Sequence, residues 1–236
     1  MLNRFNQSIG DAVENWQGVA RPQAITMHGQ YCELAPLNIA LHAQALFKAN
    51  QADDGSMWTY LPYGPFDTFA SYQHWLAECC MGKDPLFYVI IDKKTLQAVG
   101  LASYLRIDSV NGVIEVGHIA YSPHLQRTTM ATEAMFLLMD YAFSLGYRRY
   151  EWKCNALNQL SCRAAKRLGF TFEGIFRHAA VVKSHNRNTA WYSIIDTEWA
   201  LLKLAFQTWL ASDNFDNHGQ QRSKLDNIFV KKTSRH

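Results

Sequence analysis

The sequence predicts a single α+β domain of α/β/α layering, with a mixed, mostly antiparallel sheet of about seven strands flanked by helices. Three observations carry that prediction. Between residues 86 and 122, apolar β-branched and aromatic runs follow one another with only short turns between them, one of which contains Asn111-Gly112. From residue 128 onward, helical and strand patterns alternate, which brings a parallel pair into the sheet. Hydrophobic residues make up 48% of the 236, enough to bury a sizeable core.

Taken in order, residues 1–23 are polar and mixed and read as a loose arm, and the domain itself spans 24–212. "AITMHGQYCELAPL" (24–37) alternates as a strand pair. "NIALHAQALFKAN" (38–50) is a helix with Asn38 as N-cap. An aromatic loop fills 51–66, and a helix over 67–82 opens at Asp67 and closes at Gly82. Strands follow at 86–92, 98–107 and 109–123. A helix over 128–146 stops at Gly146, a strand covers 148–156, and a helix over 158–170 stops at Gly169. Strands at 170–182 and 189–196 and a helix at 197–211 complete the domain. Residues 213–236 form a polar, basic tail expected to fray, bearing Arg222, Lys224, Lys231, Lys232 and Arg235.

Composition narrows the function classes. A formal charge of +3 gives no field that argues for nucleic acid. No apolar run is long enough for a membrane span, and "MLNRFNQSIGDAVENW" lacks the apolar core of a signal peptide, so a cytoplasmic protein is expected. The five cysteines show no CxxC, and the nine histidines no metal-ligand spacing, so neither a disulfide framework nor a metal site is expected. The phosphate loops GxxxxGK[ST] and GxGxxG are absent.

The stretch "SPHLQRTTMATEAMFLLM" (122–139) carries the chemistry. A helix N-terminus offers unpaired N–H groups and partial positive charge, which suits phosphate. Here the amides from Gln126 to Thr132, the hydroxyls of Thr128, Thr129 and Thr132, and Arg127 would line a pyrophosphate cradle. A plain capped helix, with Glu133 at its positive end, accounts for the same residues.

"EVGHIAYSPHLQRTTMATEAMFLLMDYAF", "RRYEWKCNALNQLSCRAAKRLGFTFEGIFR" and "NTAWYSIIDTEW", in that order, resemble the GNAT superfamily of acetyl-CoA-dependent N-acetyltransferases. The resemblance is to the branch of the RimJ/RimL ribosomal-protein N-terminal acetyltransferases, and covers roughly residues 24–205. It implies a GNAT-type domain with acetyl-CoA as cofactor. It places Gln126, Arg127, Thr128, Thr129, Met130, Ala131 and Thr132 at the pyrophosphate, with Thr129 where the family's Q/R-x-x-G-x-G/A motif has glycine. By the same resemblance the backbone of Ile119, Ala120 and Tyr121 pairs with the pantetheine arm like an added strand. Asn158 of the N-x-x-S motif holds that arm, Ser161 protonates the leaving thiolate, and Lys166, with Arg163 and Arg167, reaches the nucleotide phosphates. Glu115 takes the place of a strand glutamate that acts as base, and Tyr192 is the alternative acid.

Asp53, Asp54, Trp58, Tyr60 and Tyr63 in the aromatic loop suit a cationic amine, and so does His118, which a regular strand would turn to the face opposite Glu115. The expected acceptor is a protein N-terminus or a small amine. A catalytically weak acyl-CoA-binding protein and a polyamine or antibiotic acetyltransferase are the alternatives. Thr129, and Asn188 where the branch has aspartate, favour the former. No nucleic-acid or membrane partner is expected, and monomer and homodimer are equally compatible with the sequence.

Overall fold

The structure is a computed structural model and describes residues 1–233, with side chains through Phe229. Its strands are β1 (Met27–His28), β2 (Cys32–Pro36), β3 (Leu86–Asp92), β4 (Ala98–Asp108), β5 (Val113–Tyr121), β6 (Arg149–Asn155), β7 (Thr171–Val182) and β8 (His185–Ile195). The helices are α1 (Ile39–Asn50), α2 (Phe69–Cys79), α3 (Thr129–Ser144), α4 (Gln159–Arg167), α5 (Asp196–Leu210) and α6 (Leu225–Thr233). Eight strands form one sheet in the order β1-β2-β3-β4-β5-β6-β8-β7, one more than the seven expected. Both arms of the 24–37 strand pair join the sheet. Among the described strands, only β5 and β6 run parallel.

Residue chemistry sets the element ends. Asn38, Thr128 and Asn158 accept backbone N–H groups three residues on, each capping its helix. Thr68, rather than Asp67, caps α2 through Ser71 N–H at 3.2 Å. In the β4–β5 turn, Asp108 accepts from the backbone and side chain of Asn111, and Gly112 takes φ +65°. A side chain at Gly112 would also strike the Trp16 ring at 2.7 Å.

The sheet separates two apolar layers. Tyr88, Ile90, Tyr104, Ile114, Val116, Tyr150, Trp152 and Ile194 pack on one face with α3 residues Met135, Leu138 and Met139 and α5 residue Phe206. On the other face, Phe87, Val89 and Leu101 pack against Leu46 and Phe47 of α1 and Tyr72, Trp75 and Leu76 of α2. Each such side chain contributes about 1.5–3 kcal/mol relative to exposure.

The described parts of both end segments pack more than the sequence predicted. Trp16 donates to Val110 O at 2.7 Å and lies under Arg148, and Val19 N–H bonds Ser109 O. In the tail, Leu225 and Ile228 of α6 are buried in the main core, so the described part of this segment packs where fraying was expected. Arg222 is exposed; Arg235 lies outside the described residues, and so do the side chains of Lys231 and Lys232.

Candidate active site

The site begins where two strands part. β5 pairs with β6 only from Val113↔Arg149 to Val116↔Trp152, although β5 runs on to Tyr121 and β6 to Asn155. Gly117–Tyr121 therefore have no strand partner on the β6 side, and a gap opens between the two strands. Its far end leads, through the turn at 122–128, to the N-terminus of α3.

That turn is tightly built. Leu125 and Gln126 N–H bond Ser122 O, and Thr128 N–H bonds Leu125 O. Among the described residues, the amides of Arg127, Thr129 and Met130 have no protein acceptor. Arg127 is exposed and holds the left-handed conformation, φ +61°, that a glycine often supplies. Thr129 needs no such freedom, because it is already the first helical residue.

The other polar groups of the stretch have different employment. Thr128 is the N-cap, donating to Leu125 O and accepting from Ala131 N–H. Thr132 is buried, and its hydroxyl accepts from Arg167 Nη1 at 3.0 Å. The hydroxyls expected from Thr128 and Thr132 are thus not offered to a phosphate. Gln126 Nε2 donates to Tyr121 O at 2.8 Å, so that carbonyl is taken. Glu133 accepts the backbone N–H groups of Gln30, Tyr31 and Cys32 at 2.6–2.8 Å, binding α3 to the β1–β2 turn. Arg167 lies under Trp209 within the fold, whereas Arg163 and Lys166 are exposed.

On the α4 side of the gap, the Asn158 carbonyl caps α4 by accepting Ser161 N–H at 3.1 Å. Ser161 Oγ accepts from Trp152 Nε1 at 3.0 Å and turns its own proton toward the Cys154 sulfur. Cys154 and Cys162 lie beside it with sulfurs 3.6 Å apart, and burial pushes the Cys154 thiol up to about 12. Tyr192 is the cross-strand neighbour of Trp152 and is 2% exposed. Burial, and then the adjacent Cys162, hold its phenol well above the ordinary range, so it stands in the core as a neutral group.

The opposite face holds the aromatic loop. Trp58, Tyr63 and Trp75 pack edge to face or tilted against one another. Tyr63 stacks on His118 and its hydroxyl lies 3.0 Å from His118 Nδ1. Tyr60 OH donates to Leu157 O at 3.2 Å and Lys183 Nζ to Trp58 O at 2.8 Å, so the loop touches both the β6–α4 turn and the β7–β8 hairpin. Asp53 and Asp54 are turned to local work, accepting backbone N–H groups within 55–57. Asn188 accepts His178 N–H at 2.7 Å, and its carbonyl takes Ala156 N–H.

Glu115 is 5% exposed and ion-paired to Lys153 Nζ at 2.9 Å and Arg106 Nε at 3.4 Å. Lys153 also meets Glu151 at 2.6 Å and lies 3.7 Å above the Trp191 ring. Arg149 extends the cluster to Glu151 and Glu173, and this pairing holds the Glu173 carboxyl down at about 2. Burial raises the Glu115 carboxyl above its ordinary value, against the pull of Lys153 and Arg106. Lys153 was not among the residues singled out from sequence, although Arg149, Glu151 and Lys153 alternate at period two, the signature of one strand face.

The parallel pair β5–β6 thus splays open toward a helix N-terminus with free amides, leaving a slot in the sheet. The chain belongs to the GNAT acetyltransferase family: residues 33–171 match its acetyltransferase (GNAT) domain. It is 31% identical over 114 residues to an uncharacterised N-acetyltransferase, p20, of Bacillus licheniformis, covering 48% of this chain and 64% of that one. It is 28% identical over 103 residues to the ribosomal-protein-serine acetyltransferase of Escherichia coli, covering 43% and 58%. The matched segments thus span less than two thirds of either relative. A crystal structure of a GCN5-related N-acetyltransferase from Brucella melitensis superposes with a TM-score of 0.91 at 45% identity, over 92% of this chain and 100% of that one. No described helix is long and apolar enough to cross a membrane.

Proposed function

We propose that the chain is an acetyl-CoA-dependent N-acetyltransferase that passes an acetyl group directly to a primary amine, a protein N-terminus or a small amine. The observation that carries this reading is the β5–β6 gap ending at the α3 N-terminus, where three amides lack partners. Bound acetyl-CoA supplies the activated acyl group as a thioester. The residues present fit it. The free amides of Arg127, Thr129 and Met130, with the Arg127 cation, suit a pyrophosphate. The unpaired edge of β5 through Ile119 and Ala120 suits the amides of the pantetheine arm. Arg163 and Lys166 stand exposed on α4, where they would be available to a nucleotide phosphate.

Ser161 sits beside the gap, where its hydroxyl, now turned toward Cys154, can rotate to give its proton to the departing sulfur. Asn158 orients that serine by capping its turn. Tyr192, in the core, serves as packing. Tyr60, Tyr63 and His118 form the acceptor wall, backed by the buried Trp58, and its aromatic faces favour a cation. The Escherichia coli relative is a ribosomal-protein-serine acetyltransferase, which favours a protein acceptor.

The test has two arms. Calorimetry with acetyl-CoA is expected to show saturable binding, and none at millimolar cofactor sinks the reading. Free thiol is then expected with one member of a panel of N-terminal peptides, polyamines and aminoglycosides. Binding without turnover on any amine would leave an acyl-CoA-binding protein.

A further inference from the structure

β5 loses its alternation at the mouth of the gap. Ile114 and Val116 lie in the α3-side core, and Glu115 faces the α1–α2 side, toward Lys153. A regular strand would send His118 to the α3 side. Instead His118 has φ +50°, and the pairing with β4 skips from Leu101↔Ala120 to Ser103↔Gly117, a bulge. The bulge holds the imidazole on the same face as Glu115, against Tyr63 and 5.2 Å from the Phe87 ring. The expectation that the two face opposite ways is therefore overturned, because a bulge resets the period.

The two candidates for removing a proton are in unequal positions. Glu115 is committed to Lys153 and Arg106. His118 is half-buried, has Nδ1 engaged, and has no protein partner for Nε2 among the described residues. It also stands at the residue where β6 has left β5. Tyr63 is the titratable group seen against its ring, and Tyr63 in turn faces Cys79, Cys80 and Tyr72 of α2. The carboxylate of its own strand, Glu115, is the ion-paired one.

Building on the acetyltransferase reading, we propose that His118, oriented by Tyr63, accepts the proton of the acceptor's ammonium, and that Glu115 anchors the ionic cluster instead. In this arrangement Nδ1–H donates to the Tyr63 oxygen, which leaves the lone pair on Nε2. An N–H bond of the ammonium breaks, its electron pair stays on nitrogen as the nucleophile, and the proton goes to Nε2 and then to water. As the C–N bond forms the thioester C–S bond breaks, Ser161 gives its proton to the departing sulfur, and the second proton lost from nitrogen restores the serine by way of solvent. Burial lowers the imidazole below its ordinary range, so it is neutral and able to accept at neutral pH.

The test is the pH profile of kcat/KM from about pH 5 to about pH 10. His118→Asn is the informative variant because asparagine tolerates the left-handed backbone. Wild type is expected to lose activity only below about pH 6.5, the ordinary histidine value. His118→Asn is expected to fall about 10²–10⁴-fold at neutral pH, to lack that inflection, and to recover toward the amine's own pKa. Its acetyl-CoA affinity is expected to stay within about threefold of wild type. Tyr63→Phe is expected to shift the inflection, and Glu115→Gln to retain it. His118→Asn with the wild-type inflection and near wild-type kcat/KM overturns the proposal, as does loss of the inflection in Glu115→Gln. Acetyl-CoA binding with no amine acetylated overturns the acetyltransferase reading, and this proposal with it.

Discussion

Lys153→Met tests what holds the acceptor-side face of the sheet together. Lys153 is 6% exposed at its side chain and contacts two buried carboxylates at 2.9 and 2.6 Å. Methionine keeps the length and the packing on Trp191 but removes the charge. Glu115 and Glu151, cross-strand neighbours, then face one another with one cation fewer. Removing one partner of a buried pair costs about 3–5 kcal/mol, which for a chain of this size lowers Tm by roughly 6–20 °C. The sign with pH follows from Glu115. Its native carboxyl is already raised by burial, and Lys153 is the largest influence holding it down. Without Lys153 it rises further. A group whose folded pKa lies above its unfolded one favours the fold at low pH and disfavours it as pH climbs past both values. The deficit of the variant is therefore larger at about pH 8 than at about pH 5. Urea titrations at the two pH values measure it, and adding Glu115→Gln is expected to restore part of the loss. A deficit under about 1 kcal/mol, typical of exposed pairs, or one that does not shrink on acidification, refutes the reasoning.

Three further outcomes are expected. Glu133→Ala strands three backbone donors of the β1–β2 turn, costing about 3 kcal/mol or more by thermal unfolding, and a loss below about 1 kcal/mol counts against the clamp. Thr129→Gly changes acetyl-CoA affinity by less than about threefold by calorimetry, since the backbone there is already helical and supplies the donor; a tenfold loss reveals a hydroxyl contact. Ser161→Ala lowers thiol release about 10²-fold with cofactor affinity nearly unchanged, and full turnover would remove Ser161 from the proton path.

The fold was legible in the sequence where local chemistry and tertiary structure agree. Asn38 caps the helix it was expected to cap, and Asn111-Gly112 makes the β4–β5 turn. Asp67 misled because two capping residues adjoin, and only the geometry chooses Thr68. The tail misled because its polar flanks dilute a short pattern, Leu225 and Ile228 at helical spacing, that becomes stable only when it docks on α5.

The candidate site was less legible, for a reason specific to this architecture. Its residues were sought by type and position in a motif, but the fold decides which of their atoms remain free. Among the three threonines of the α3 N-terminus, one hydroxyl caps the helix and another meets Arg167, so that Thr129 alone keeps an uncommitted hydroxyl among the described contacts. The family's glycine position lost nothing conformational, because the left-handed residue is Arg127 two positions earlier. His118 shows the same logic in a strand. Period two placed it on the wrong face, since a bulge has no signature except an unpaired residue that only the partner strand reveals. Gly117 beside it is a weak hint, as glycine inside a strand often marks a bulge. The reordering also explains why Glu115 and His118 divide their roles. One sits where β5 is still paired to β6 and finds buried cations; the other sits where the pairing has ended, with a ring nitrogen left over.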